Sequence, residues 1–152
     1  MALDPALVQT LQATAAALAQ ARDPWWIFAS AAVALHGAPD AAVADVDVLV
    51  GEADAQRIFA ALGLEPVADG GTAKFRSALL GRWRSQPMPV EFMARFEVHT
   101  EEGWSPVVFA TREPVSLGGH TLFVPAREEL VRTLLTFGRP KDLERARRLA
   151  QG

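Results

Sequence analysis

The sequence has no cysteine, which excludes disulfide frameworks and thiolate metal sites. No uncharged apolar run approaches the ~20 residues that a membrane-crossing helix needs. The longest greasy stretch, from Trp25 to Gly37, already contains Ser30 and His36. Met1-Ala2-Leu3-Asp4 lacks a basic segment followed by an apolar one, so no secretory signal is expected and the cytoplasm is the expected location. There is no internal repeat and no low-complexity linker. Positive charge is not in excess: 15 Lys and Arg against 18 Asp and Glu leave a net charge of −3, which argues against a general nucleic-acid binder. Apolar material is plentiful, at 50% of 152 residues with 22% charged. That excludes intrinsic disorder and predicts a single domain over residues 1–152 with a sizeable core.

Charge is unevenly placed. Residues 127–148 hold seven bases and four acids, a net +3, so residues 1–126 carry −6. An anionic ligand is therefore drawn toward the C-terminal end.

The pattern of elements is mixed. Asp4-Pro5 reads as an N-cap with proline at the first helical position, opening a helix that runs to about residue 21. Residues 25–28 form a short apolar strand, and Ser30 reads as the N-cap of a second helix that Gly37 stops before a loop at 37–40. The valines of residues 44–50 predict a strand. Residues 54–62 predict an amphipathic helix with Ile58, Phe59, Ala61 and Leu62 inward. After a turn at Asp69-Gly70-Gly71, residues 73–78 and 89–96 read as strands separated by a basic loop, 81–85. Residues 107–110, 113–116 and 121–124 are further short strands, the last two joined at Gly118-Gly119. Helices over 126–137 and 140–150 close the chain. The class is α+β: a mixed, largely antiparallel sheet with helices on one side and two C-terminal helices.

Asp45-Val46-Asp47 is the leading candidate for chemistry. Residues i and i+2 of a strand share a face, so both carboxylates project together while Val46 and Val48 project the other way. Close carboxylates repel and favour protons or cations, and oxygen-only ligands suit Mg²⁺. The same pair could also be two hydrated acids at a strand edge. Ser30 either caps its helix or, with the free N–H groups there, meets a phosphate. Glu91, alone on an apolar strand, either faces solvent, pairs with Arg95, or completes a three-carboxylate metal site beside Asp45 and Asp47. Arg139 and Lys141 by themselves read as surface charges at a helix start. Arg82-Trp83-Arg84 is a solvated loop with Trp83 on the core, or a surface for a nucleobase or RNA. His36 suits a helix C-terminus; His99 and His120 lie in expected loops without a partner at zinc spacing.

A serine-opened helix after an apolar strand, then His36-Gly37, then Asp-x-Asp in a hydrophobic strand and a single later acid resembles the nucleotidyltransferase superfamily of the polymerase-β type. The tail from Glu129-Leu130 through Gly138-Arg139-Pro140-Lys141-Asp142-Leu143 is similar to the closing segment of small bacterial nucleotidyltransferase-like proteins related to abortive-infection toxins. The resemblance covers residues 25–50, 90–93 and 124–149. It implies a minimal nucleotidyltransferase fold in which Asp45 and Asp47 hold Mg²⁺, or Mn²⁺, with a nucleoside triphosphate. Glu91 takes the third carboxylate position and helps deprotonate an acceptor hydroxyl; Ser30, Arg139 and Lys141 attend the phosphates. The implied reaction moves a nucleoside monophosphate to a hydroxyl on a small molecule, a protein or an RNA end. The sequence departs from the family at Ala29, where relatives carry glycine, and at Asp40-Ala41-Ala42, where they carry arginine and threonine. It also lacks their penultimate-helix lysine, with Arg132-Thr133 in that neighbourhood, and has Glu91 for the commoner aspartate. These departures motivate a second expectation: a catalytically degenerate binding or regulatory module, one half of a toxin–antitoxin-like pair. A homodimer or a partner protein would supply the other wall of the cleft, and no membrane is involved.

Overall fold

The computed structural model describes residues 3–38, 41–67 and 71–151. Helix α1 spans Pro5–Ala17, capped by Asp4, whose side chain accepts from the Ala6 N–H, and ends in a 3-10 turn at Leu18–Gln20. Strand β1 (Trp26–Phe28) leads into α2 (Ala29–Leu35), β2 (Val46–Leu49) and α3 (Glu52–Leu62). Then come β3 (Phe75–Arg76), β4 (Leu79–Trp83), β5 (Val90–Ala94), β6 (Glu97–Thr100) and β7 (Gly103–Pro106). The hairpin β8 (Glu113–Leu117) and β9 (His120–Val124) precedes helices α4 (Arg127–Phe137) and α5 (Pro140–Gln151). None of these helices is long and apolar enough to cross a membrane among the described residues.

The principal sheet has the order β1-β2-β5-β4. Its outer pairs are antiparallel and its central pair, β2 with β5, is parallel. The remaining sheets, β3-β6-β7 and β8-β9, are antiparallel throughout, so the α+β, largely antiparallel expectation holds. The back of the principal sheet is apolar: Ile27, Val48 and Phe92 stand in one row, each at most 1% exposed, with Gly81 completing it on β4. Helix α3 packs against the β5 and β4 part of this row. Phe59 lies so close to Gly81 that a Cβ there would fall 2.4 Å from its Cε1 atom, which is why the strand carries glycine at that position.

Several expectations are corrected. Of residues 81–85 only 84 and 85 are loop: residues 79–83 pair with β5 as β4, because Leu80 and Gly81 are needed to extend the buried sheet. Residues 107–110 are not a strand; Val107 and Phe109 are buried as extended chain beyond β7. His99 and His120 lie on β6 and β9 rather than in loops. In α3 the buried positions are Asp54, Ala55, Ile58 and Phe59, while Ala61 is exposed. Asp54 is inward because its carboxylate accepts from the Arg22 and Asp23 N–H groups and pairs with Arg57, closing the end of the first helical segment onto α3. The turn at Asp69-Gly70 and the Pro39-Asp40 part of the 37–40 loop lie outside the described residues.

Four phenylalanines join the layers. Phe96, in the turn after β5, stacks on Phe75 of β3 at 5.3 Å between ring centroids and contacts Phe28 of β1 at 5.4 Å. Phe137 at the end of α4 meets both Phe75 and Phe96 edge-on. Gly81→Ala is expected to destabilise the protein by about 1–3 kcal/mol, the usual cost of overpacking a core, as measured by urea unfolding followed by tryptophan fluorescence.

Candidate active site

The carboxylates are assembled by register. Asp47 of β2 stands between Phe28 of β1 and Glu91 of β5, and Glu91 stands beside Arg82 of β4. One row on the front of the sheet therefore reads Phe28, Asp47, Glu91, Arg82. Asp45 precedes β2 by one residue and Asp47 by two. Val46 and Val48, pointing the other way, are fully buried. Carboxylate oxygens of Asp45, Asp47 and Glu91 all lie within 4.8 Å of one another.

These three acids line a cavity of about 250 Å³, and Ser30, Arg139 and Lys141 line it too. All six candidate residues thus meet in one place, although they come from four separate stretches of chain. Arg82 and Arg145 line the same cavity. Burial raises the Asp47 carboxyl well above the usual carboxylate range, and the negative charges of Asp45 and Glu91 push it further; Arg145 and Arg139 partly offset this. Asp45 is raised by burial and then by Glu91, against Lys141, Arg145 and Arg139. Such a cluster is under electrostatic stress that a cation would relieve. Three oxygen donors fit a hard divalent ion: ligand bonds of ~2.1 Å place oxygens on one ion up to ~4.2 Å apart, close to the spacing found.

The basic wall is itself held in place. Asp142, fully buried, accepts from the Arg139 backbone N–H at 3.2 Å and from its guanidinium at 2.6 and 3.0 Å; Arg145 lies 3.7 Å away. Arg139 is the residue before α5 and Asp142 its third, so the acid closes half a capping box while clamping two arginines that face the carboxylates. The Arg139 guanidinium also lies over the Phe75 ring at 4.7 Å. Lys141, by contrast, is exposed.

Sequence reasoning missed Asp142, Arg145 and the position of Arg82. The first was legible as an acid three residues after a helix cap; Arg82 was hidden by the misread loop. Glu91 pairs with Arg82 at 2.8 Å, not with Arg95, which follows β5 with φ 52 and pairs with Glu52. Ser30 is not an N-cap: α2 begins at Ala29, and Ser30 is its second residue, 2% exposed, on the cavity wall. His36 ends α2 as expected, its Nε2 within 2.8 Å of the Pro125 carbonyl.

Ala29 carries the strain of this corner. Its φ of 57 lies in the left-handed region, which costs a residue with a Cβ roughly 1–2 kcal/mol. The chain must turn there from β1 into α2 to bring Ser30 to the cavity.

Solved structures share the fold that carries this site. A protein of Thermotoga maritima provisionally identified as a nucleotidyltransferase superposes with a TM-score of 0.77 at 23% identity, covering 99% of this chain and 96% of its own. ANT(2'')-Ia in complex with adenylyl-2''-tobramycin gives a TM-score of 0.59 at 12% identity, covering 95% of this chain and 87% of its own. The lincosamide antibiotic adenylyltransferase LnuA, lincomycin-bound, gives 0.53 at 9% identity, covering 84% and 85%. No family model and no curated protein matches the sequence. The chain has the nucleotidyltransferase fold.

Two predictions follow from strain and charge here. In Ala29→Gly, relief of ~1–2 kcal/mol of left-handed strain offsets loss of a methyl worth ~0.8 kcal/mol and the ~0.4–1 kcal/mol that glycine's freedom in the unfolded chain costs, so stability should change by less than about 1 kcal/mol. Ala31→Gly, in ordinary helix and fully buried, adds the helical glycine cost of ~1 kcal/mol to the lost methyl and should lower stability by about 1.5–2 kcal/mol; denaturant melts distinguish them. For Asp45 and Asp47 the native state binds protons more tightly than the unfolded chain. Their contribution to stability is therefore full below the unfolded aspartate value of ~3.9 and is lost as pH rises through the raised native values. Asp47→Asn should accordingly raise the melting temperature at pH 7–8 in chelator, and flatten the decline of stability toward neutral pH.

Proposed function

We propose that this protein is a divalent-metal-dependent nucleotidyltransferase, with residues 1–152 forming one such domain, that moves a nucleoside monophosphate from a triphosphate to an acceptor hydroxyl. The observation that carries the reading is the set of three carboxylates on one sheet face, opposed by Arg139, Lys141 and Arg145 across the same cavity. Asp45 and Asp47 would hold Mg²⁺ or Mn²⁺, with Glu91 as third carboxylate. The bound metal would neutralise charge on the transferring phosphoryl group and activate the attacking oxygen.

The chain's own residues supply the remainder. Lys141, Arg139 and Arg145 attract the triphosphate and balance the charge of the departing pyrophosphate. Ser30 offers a hydroxyl from the cavity wall. Glu91, held by Arg82 through Oε2, would take the acceptor proton. The acceptor oxygen forms its bond to the α-phosphorus as the bond from that phosphorus to the bridging oxygen breaks, and pyrophosphate leaves. Transfer of this kind depends on position and charge neutralisation more than on covalent participation by the protein. The adenylyl compound bound to ANT(2'')-Ia and the name of LnuA support an adenylyl group as the one transferred.

A second reading is a non-catalytic binding module on the same fold, one half of a toxin–antitoxin-like pair. It is favoured by the Arg82 guanidinium, which already occupies an oxygen of Glu91, and by the Cβ that Ala29 places beside Ser30.

Calorimetry with Mg²⁺ and α,β-methylene-ATP tests both. Saturable binding is expected in the wild type. Asp45→Asn combined with Asp47→Asn should weaken it by more than the ~10–100-fold that loss of an outer-shell metal partner costs. Binding of the analogue without any transfer from ATP itself to a hydroxyl acceptor, together with recovery of a stable protein partner, would select the second reading.

A further inference from the structure

A larger cleft adjoins the carboxylate cavity on the same face of the sheet. Its volume is about 780 Å³, and it shares Arg76, Ser77 and Phe96 with the smaller cavity. Its floor is the next row of the sheet: Trp26 is in register with Leu49, two residues beyond Asp47 on the same side of β2. At ~3.3 Å of rise per residue, that floor begins about 7 Å from Asp47. Val107 and Pro106 close the far wall.

From these observations we infer that this cleft seats the acceptor, a small molecule with an apolar, ring-sized body that is neutral or anionic. The inference rests on the nucleotidyltransferase reading. Three features carry it. The carboxylate cavity, at about 250 Å³, has no room for an acceptor beside a nucleotide's phosphates, whereas the adjoining cleft falls inside the ~300–1,000 Å³ range of small-molecule sites. In-line transfer requires the attacking oxygen and the leaving pyrophosphate on opposite sides of the phosphorus. With the leaving group drawn to Arg139, Lys141 and Arg145 at the start of α5, the acceptor enters from elsewhere, and the shared wall at Arg76, Ser77 and Phe96 makes the cleft contiguous with the acids.

The charge of the lining gives the substrate class. Arg76 and Arg95 face the cleft with Glu97 as the only acid among its described lining residues. Arg76 is paired with Glu97, and Arg95 with Glu52 outside the lining. Arg95 is 75% exposed in its side chain, and its pair with Glu52 is a surface one of little strength, so it can exchange that partner for an anionic group. A polycationic acceptor would find no unpaired acid among the described lining residues, since Glu97 is already held by Arg76. An aryl or alicyclic alcohol, with or without a carboxylate, would lay its ring against Trp26 and Leu49 and direct its hydroxyl past Phe96 toward Glu91.

The test uses three hydroxylated probes of equal ring size: 2-phenylethanol, 3-phenyllactate and phenylalaninol, titrated into the full chain in chelator. The readout is the Trp26 indole N–H resonance, which is distinctive because that group donates to the Thr111 carbonyl at 2.8 Å and is assigned with Trp26→Phe. Neutral and anionic probes should shift it and bind at least several-fold tighter than cationic phenylalaninol. Arg95→Glu should reverse the order of 3-phenyllactate and phenylalaninol. Ala78→Trp, which fills the cleft from an exposed position on its wall, should weaken 2-phenylethanol at least 10-fold while leaving Mg²⁺ and α,β-methylene-ATP binding intact. The nucleotide analogue and 2-phenylethanol should bind together. Displacement of the probe by the analogue would overturn the proposal by making the cleft part of the nucleotide site. Probe shifts confined to other residues, or an unchanged affinity in Ala78→Trp, would overturn it as well. Probe binding without any Mg²⁺-nucleotide binding would overturn the acceptor role together with the nucleotidyltransferase reading, whereas nucleotide binding without probe binding would remove the cleft assignment alone.

Discussion

The parallel pairing of β2 with β5 is the constraint from which the site follows. It sets Asp47 directly opposite Glu91, and alternation along β2 aligns Asp45 with them. The fold thereby holds three like charges closer than they would choose in water. This is tolerated because the opposite sides of the same strands are among the most buried surfaces of the molecule: Val46, Val48, Val90 and Phe92 are all at 0% exposure. A one-residue slip would turn the acids into that core and the valines into the cavity. Burial of the back face therefore enforces the crowding of the front face.

The surrounding parts respond to that charge in two ways. On one side Asp142 restrains Arg139 and Arg145, so that part of the positive wall is ordered in advance. On the other, Arg82 reaches Glu91 along the same row of the sheet. The phenylalanine cluster of Phe28, Phe75, Phe96 and Phe137 ties β1, β3 and the end of α4 together at the rim of the cavity. Its apolar surface keeps the dielectric low where Asp45 and Asp47 titrate, which strengthens their repulsion and their attraction for cations alike. The strained Ala29 belongs to the same corner.

Where local signals dominate, the chain was legible. Asp4-Pro5, Gly63, Gly138 and Gly118-Gly119 mark boundaries that the structure keeps, because caps and left-handed turns are decided by a few adjacent residues. Errors arose where pairing decides. Arg82-Trp83 is polar and aromatic enough to read as loop, yet β5 needs a neighbour on that edge and recruits it. Residues 97–106 carry no strong strand pattern and become β6 and β7 through pairing with each other and with β3. Ser30 looks like a cap from its residue type, but the turn at Ala29 starts the helix one residue earlier.

For the site, the sequence by itself determined that two carboxylates share a face, that a lone acid sits on a second apolar strand, and that positive charge gathers at the C-terminal end. Each of these is a matter of strand periodicity or composition within one segment. Only the tertiary structure decided that the three acids and the basic wall meet, that Arg82 joins them, and that a larger apolar cleft opens beside them. Those facts depend on which strands lie next to which and in what register. That choice is made by the burial of side chains far apart in sequence, which no single segment encodes.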